Sequence, residues 1–92
     1  MEFEWDELKN QENIKSRGID FSLANNIFDG EHITFEDDRE NYGEPRFISI
    51  GFLVGRMMVV VHTRRGNKTR IISMRKANVR EQKTYKERFG TD

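Results

Sequence analysis

The sequence predicts an α+β fold with two N-terminal helices, a mainly antiparallel sheet of about four strands and a C-terminal helix. Three observations carry this. Residues 46–76 hold three short runs rich in β-branched residues, Phe47 to Leu53, Met57 to Val61 and Thr69 to Met74, split by Val54-Gly55 and by Arg65-Gly66-Asn67. Runs of that kind joined by tight glycine turns signal successive hairpins. Helix signals bracket them, because Asp6 and Gly18 stand where an N-cap and a C′ glycine belong, and Asn78 with Glu81 has the spacing of a capping box. Finally, 92 residues with no repeat, low-complexity stretch or linker describe one domain, 1–92, with a small core.

Phe3, Glu4 and Trp5 suit a short edge strand. The helix from Asp6 to about Arg17 has few apolar residues, chiefly Leu8 and Ile14, which predicts a surface helix with one narrow buried stripe. Lys9, Asn10, Asn13 and Lys15 are then left for solvent or a ligand. Asp20 caps a second helix, Phe21 to Phe28, with Phe21, Leu23, Ala24, Ile27 and Phe28 forming its core face. Ile33 to Phe35 begin the sheet. Residues 36–45 read as an acidic turn, either a solvated loop or a cover in which Asp37, Asp38 and Glu40 shield a basic surface. In the strand after Gly55, alternation puts Arg56, Met58, Val60, His62 and Arg64 on one face and Met57, Val59, Val61 and Thr63 on the other. Both sets are apolar in the middle, so this strand is expected to be central and covered on both sides. In the next strand Arg75 is expected to share a face with Ser73 and Ile71, with Lys76 following. The last helix, Val79 to Phe89, is expected to rest on Val79, Tyr85 and Phe89 and to turn its Arg and Lys residues to solvent or to phosphate.

Composition excludes several classes of function. There is no cysteine, so neither a disulfide framework nor a thiolate metal site is possible, and a reducing cytoplasm is the natural setting. His32 and His62 have no second ligand at metal spacing, so no metal or other cofactor is expected. The glycines form no phosphate loop and no serine has a triad context. The start, MEFEWDE, is acidic where a secretory signal is basic, and no apolar run nears the ~18 residues of a membrane span. The formal net charge of zero hides an asymmetry: residues 1–46 hold thirteen Asp and Glu against five Lys and Arg, and residues 47–92 hold three against eleven. The halves therefore carry about −8 and +8, which fits a polyanion-binding surface or a set of ion pairs joining the halves; charge alone does not separate the two.

The series FEWD, Gly18 after a first helix, YGEPRF, IGFLVGR, VVVHTRRG, RIISMRKA, then Glu81 and Tyr85, resembles the BrnT family of toxins from bacterial type II toxin-antitoxin modules. The likeness runs in order over nearly the whole chain. It implies a RelE-like ribonuclease fold, RNA cleavage without a metal, and a ribbon-helix-helix antitoxin of the BrnA type. A two-plus-two assembly that reaches operator DNA only through the antitoxin is implied as well. The family usually has His directly before the glycine, where this chain has Arg17 after Ser16. A cation is kept and an imidazole is lost.

Metal-free cleavage uses the 2′-hydroxyl of RNA against the adjacent phosphate and needs cations for the charge that develops there. Arg cannot realistically change protonation and suits that task. Arg64 and Arg75 are the leading candidates, since each lies at a strand end in a segment that matches the family, with Arg70 and Lys76 behind them. His62 has the titratable group for proton transfer, or is a packing residue where the family commonly has Tyr. Tyr85 either donates to phosphate, stacks on a base or packs on the sheet. Lys9, Arg80 and Lys83 complete the expected RNA contacts. The alternative is a non-catalytic basic module that binds RNA or an acidic protein.

Overall fold

The computed structural model describes residues 1–90. The elements run β1 (Glu2–Trp5), α1 (Glu7–Arg17), a 3-10 turn (Phe21–Leu23), α2 (Ala24–Asp29), β2 (His32–Glu36), β3 (Phe47–Leu53), β4 (Arg56–Arg65), β5 (Lys68–Lys76) and α3 (Val79–Phe89). The α+β class, the C-terminal helix and the central place of the strand after Gly55 follow the expectation. The sheet has five strands in the order β1-β5-β4-β3-β2. Its fifth member is the Phe3 to Trp5 segment, which joins β5 in parallel, so the sheet is antiparallel except at that edge.

Hydrophobic burial is divided between the two faces of β4. On one face Met58, Val60, Ile71 and Met74 pack under Phe21, Ala24 and Ile27, with Phe3 and Trp5 alongside. On the other, Ile48, Ile50 and Val59 meet Ala77 and Tyr85, so α3 covers this side. The expected second helix is broken into the 3-10 turn and α2, and Leu23 ends 37% exposed. Gly51 shows how closely α2 sits, since a Cβ there would lie 2.9 Å from Ile27 Cγ2 and 3.2 Å from the Glu31 carbonyl oxygen. Gly51→Ala is therefore expected to destabilise the fold by about 1–3 kcal/mol, read from urea unfolding midpoints.

Three further sequence expectations are corrected, the first being that α3 rests on Val79, which is 82% exposed at the helix start. A bulge shifts the β4–β5 register between Val61 and His62, so that Val61 faces Ser73 while His62 faces Ile71. Parity changes across the extra residue. Arg75 stays with Ser73 and Val59 on the α3 face, and Ile71 moves to the opposite one. In α1, the apolar Leu8 is 76% exposed, while Asn10 and Asn13 are buried. Backbone hydrogen bonding explains the exchange. Asn10 Oδ1 accepts from Phe21 N at 2.8 Å and Asn10 Nδ2 donates to Asp20 at 3.1 Å. Asn13 Nδ2 donates to the carbonyls of Ile19, at 2.9 Å, and Met74, at 3.1 Å. Pairing of β1 with β5 stops at Ile71, and Asn13 supplies a donor to an edge carbonyl that no strand reaches.

Candidate RNA-binding groove

The Asn13 latch fixes the C-terminus of α1 against the end of β5, and charge collects there. Arg17 Nη1 donates to Asn13 Oδ1 at 3.0 Å, which holds the guanidinium over the same junction. Ser16, Arg17 and Ile19 face Arg75 and Lys76 across one depression. Arg17, Arg56 and Lys76 rim a neighbouring groove of about 410 Å³. On the far side of Lys76, Arg56 and Lys86 border a third depression with Gln82. Five cations thus line three adjoining hollows, and none of the described residues lining them is Asp or Glu. In a chain of zero net charge, that segregation makes this surface locally basic.

Arg75 has the most constrained side chain of the five. Its Nη1 and Nη2 donate to Glu81 Oε1 and Oε2 at 2.7 and 2.8 Å, a bidentate pair. Glu81 is itself held by the capping box, as Asn78 N donates to Oε1 at 2.9 Å and Glu81 N donates to Asn78 Oδ1 at 2.8 Å. Burial pushes the Glu81 carboxyl up, but the Arg75 hydrogen bonds, the Asn78 amide and the Arg75 charge outweigh it and hold the group ionised below its ordinary range. The Glu81 hydrogen bonds, opposed by partial burial, push the Arg75 guanidinium up. The start of α3 therefore aims one arginine at the groove.

The other residues singled out in the sequence lie elsewhere. Arg64 is exposed near the β4–β5 turn, with Nε donating to the Gly66 carbonyl at 3.3 Å. Arg64 pairs with Thr69, and Arg75 with Val59. Five residues of β4 separate these levels, about 17 Å along the strand, and alternation puts the two arginines on opposite faces. Arg70 is tied to Glu4 at 2.8 Å. His62 is buried between Phe47, stacked at 5.8 Å, and Phe28, edge-on at 5.1 Å, and its Nε2 hydrogen-bonds Ser49 Oγ at 2.8 Å. Burial, reinforced by the charge of His32, lowers its pKa to about 4, so the ring is neutral at pH 7. Tyr85 is buried against Phe52 and Phe89, with its hydroxyl donating to Glu31 at 3.2 Å. Lys9, Arg80 and Lys83 are exposed, the last two one turn apart on α3. In the acidic segment Asp37 turns inward while Glu36, Asp38 and Glu40 stay exposed: Asp37 is buried, takes a bidentate pair from Arg39 at 2.7 and 2.8 Å and accepts from Tyr42 at 3.2 Å. Those bonds, led by Arg39, hold its carboxyl at about 2.

Arg17, Arg56 and Lys86 line these hollows although sequence reasoning did not list them among site residues. The signal for Arg56 was its position at a strand end, and for Arg17 its place before Gly18; only tertiary contact shows that these positions meet. Among the described residues no three His, Asp or Glu side chains converge in a metal-binding group, and no helix is long and apolar enough to cross a membrane.

Comparison with curated proteins gives no match. A family model described as the ribonuclease toxin BrnT of type II toxin-antitoxin systems matches residues 5–81. The matched span contains Arg17, Arg56, Arg75 and Lys76 and ends on Glu81, leaving Lys83 and Tyr85 outside it. With that span covering most of the chain, the protein belongs to the BrnT family of type II toxin-antitoxin ribonuclease toxins.

Proposed function

We propose that this toxin is a metal-independent endoribonuclease that inhibits translation and growth in the cytoplasm, with the depression at the α1–β5 junction, where Arg17, Arg75 and Lys76 meet, as its site. The observation carrying this reading is the set of five cations that line three adjoining hollows with no carboxylate among the described lining residues, Glu81 standing behind Arg75 as its hydrogen-bond partner. The substrate's 2′-oxygen attacks the adjacent phosphorus, the bond to the 5′-oxygen breaks, and the products are a 2′,3′-cyclic phosphate and a 5′-hydroxyl end. Arg75 meets the charge that builds on the non-bridging oxygens, with Lys76 and Arg17 beside it. The buried, neutral His62 is assigned to packing, so solvent takes the 2′-proton and supplies one to the leaving oxygen. Arg80, Lys83 and Lys86 extend phosphate contacts along α3, and Arg64 and Lys9 are assigned peripheral ones.

The family's antitoxin is proposed to be a BrnA-like ribbon-helix-helix dimer, giving a two-plus-two complex that reaches operator DNA through the antitoxin. Purified toxin freed of that partner is expected to cut total RNA in excess chelator and to leave cyclic phosphate ends. Cleavage that is lost in chelator and restored by Mg²⁺ overturns the metal-free mechanism. RNA that is bound but left intact, with unimpeded growth on expression, favours a non-catalytic module.

A further inference from the structure

The 410 Å³ groove has a second character that RNA chemistry does not use. Its floor is aliphatic, formed by Ile19, Leu53 and Met58, and Leu23 and Val54 stand at its lips. No aromatic ring is among its described lining residues, so an unstacked nucleobase would find only the guanidinium planes of Arg17 and Arg56 to stack on. Around this apolar floor stand Arg17, Arg56 and Lys76. An apolar pocket inside a cationic rim complements a peptide with one apolar anchor and acidic flanks.

Val54 adds an independent sign. It is 93% exposed and sits at φ 50, followed by Gly55 at φ 76, in the two-residue turn between β3 and β4. A turn with both central φ angles positive prefers Asn-Gly, and a β-branched residue is unfavourable there. Val54 contributes neither to the core clusters nor to turn preference. An exposed apolar side chain held in an unfavourable conformation beside an apolar groove is what a partner contact requires.

We propose that this groove is the docking site for an acidic segment of the antitoxin, whose apolar anchor enters between Leu23 and Val54 while its carboxylates pair with Arg17, Arg56 and Lys76. The proposal rests on the family reading for its partner. Because Lys76 and Arg17 also border Arg75, the docked segment excludes RNA from the catalytic end of β5. Neutralisation is then direct occlusion.

The test uses Val54→Asn, which suits the turn, and Val54→Asn combined with Leu23→Gln, each in the full chain. Affinity for the co-encoded antitoxin is measured by calorimetry, and RNA cleavage by the free toxin is measured in parallel. Val54→Asn is expected to fold at least as well as the parent and to weaken antitoxin binding about tenfold, and the double variant about 10²-fold. Cleavage is expected to stay within about twofold of the parent, because neither residue contacts phosphate in this scheme. Unchanged antitoxin affinity in the double variant overturns the proposal, as does the absence of any complex with the parent protein. Lost cleavage with retained antitoxin binding also overturns it and assigns the groove to RNA. If the parent cuts no RNA yet binds antitoxin through Val54 and Leu23, the docking site stands and the ribonuclease reading fails.

Discussion

Arg75→Ala is expected to lower RNA cleavage by about 10²- to 10³-fold, the loss typical of a group that stabilises charge mainly in the transition state. Its guanidinium is fixed by two hydrogen bonds to Glu81, and Glu81 by the α3 capping box, so the cation is oriented before RNA arrives. The variant leaves the largely buried Glu81 carboxylate without its cation, which costs about 1–3 kcal/mol of stability, so folding must be checked by circular dichroism. Arg75→Lys separates charge from geometry, because a lysine keeps the former and cannot make the planar bidentate pair. Arg64→Ala serves as the contrast. From the opposite face of the sheet it is expected to leave the chemical step nearly intact and to reduce the salt slope of RNA binding by about one. Full activity in a correctly folded Arg75→Ala protein would remove this groove as the catalytic site.

Acid is expected to destabilise the toxin through His62, by about 3 kcal/mol in total. The folded pKa is depressed to about 4 from an ordinary 6.5 because the ring is shut between Phe28 and Phe47 and cannot keep a charge hydrated. Above pH 6.5 both folded and unfolded chains hold a neutral imidazole, and the site contributes nothing to pH dependence. Between 6.5 and 4 the unfolded chain takes up a proton that the folded one refuses, so stability falls by about 1.4 kcal/mol per unit. Asp37 loses its contribution in a separate, lower window, as pH falls from 3.8 through about 2. Urea unfolding from pH 7.5 to 4 measures the slope, and His62→Gln is expected to flatten it above pH 4. A slope that survives the substitution would assign the effect to another group.

Local chemistry is what the sequence determines here. Short-range signals, such as Asp6 before α1, the Asn78–Glu81 box and the paired turns of residues 46–76, place helices and strands because caps and tight turns depend on neighbours in the chain. The family was legible for the same reason, through motifs in linear order. Sequence reasoning pointed to Arg75 and, behind it, Lys76, which line the α1–β5 hollow, but also to Arg64, Arg70 and His62, which do not. Three-dimensional pairing made that distinction. The bulge opposite Val61 and His62 changes which β5 residues share a face, and periodicity cannot register one inserted residue. Asn13 looked like a solvent residue because it is polar, yet the edge carbonyl of Met74 needs a donor that only α1 can bring. That long-range hydrogen bond seats Arg17 beside Arg75, so the basic hollow is a product of tertiary contact between residues that the sequence places nearly sixty positions apart.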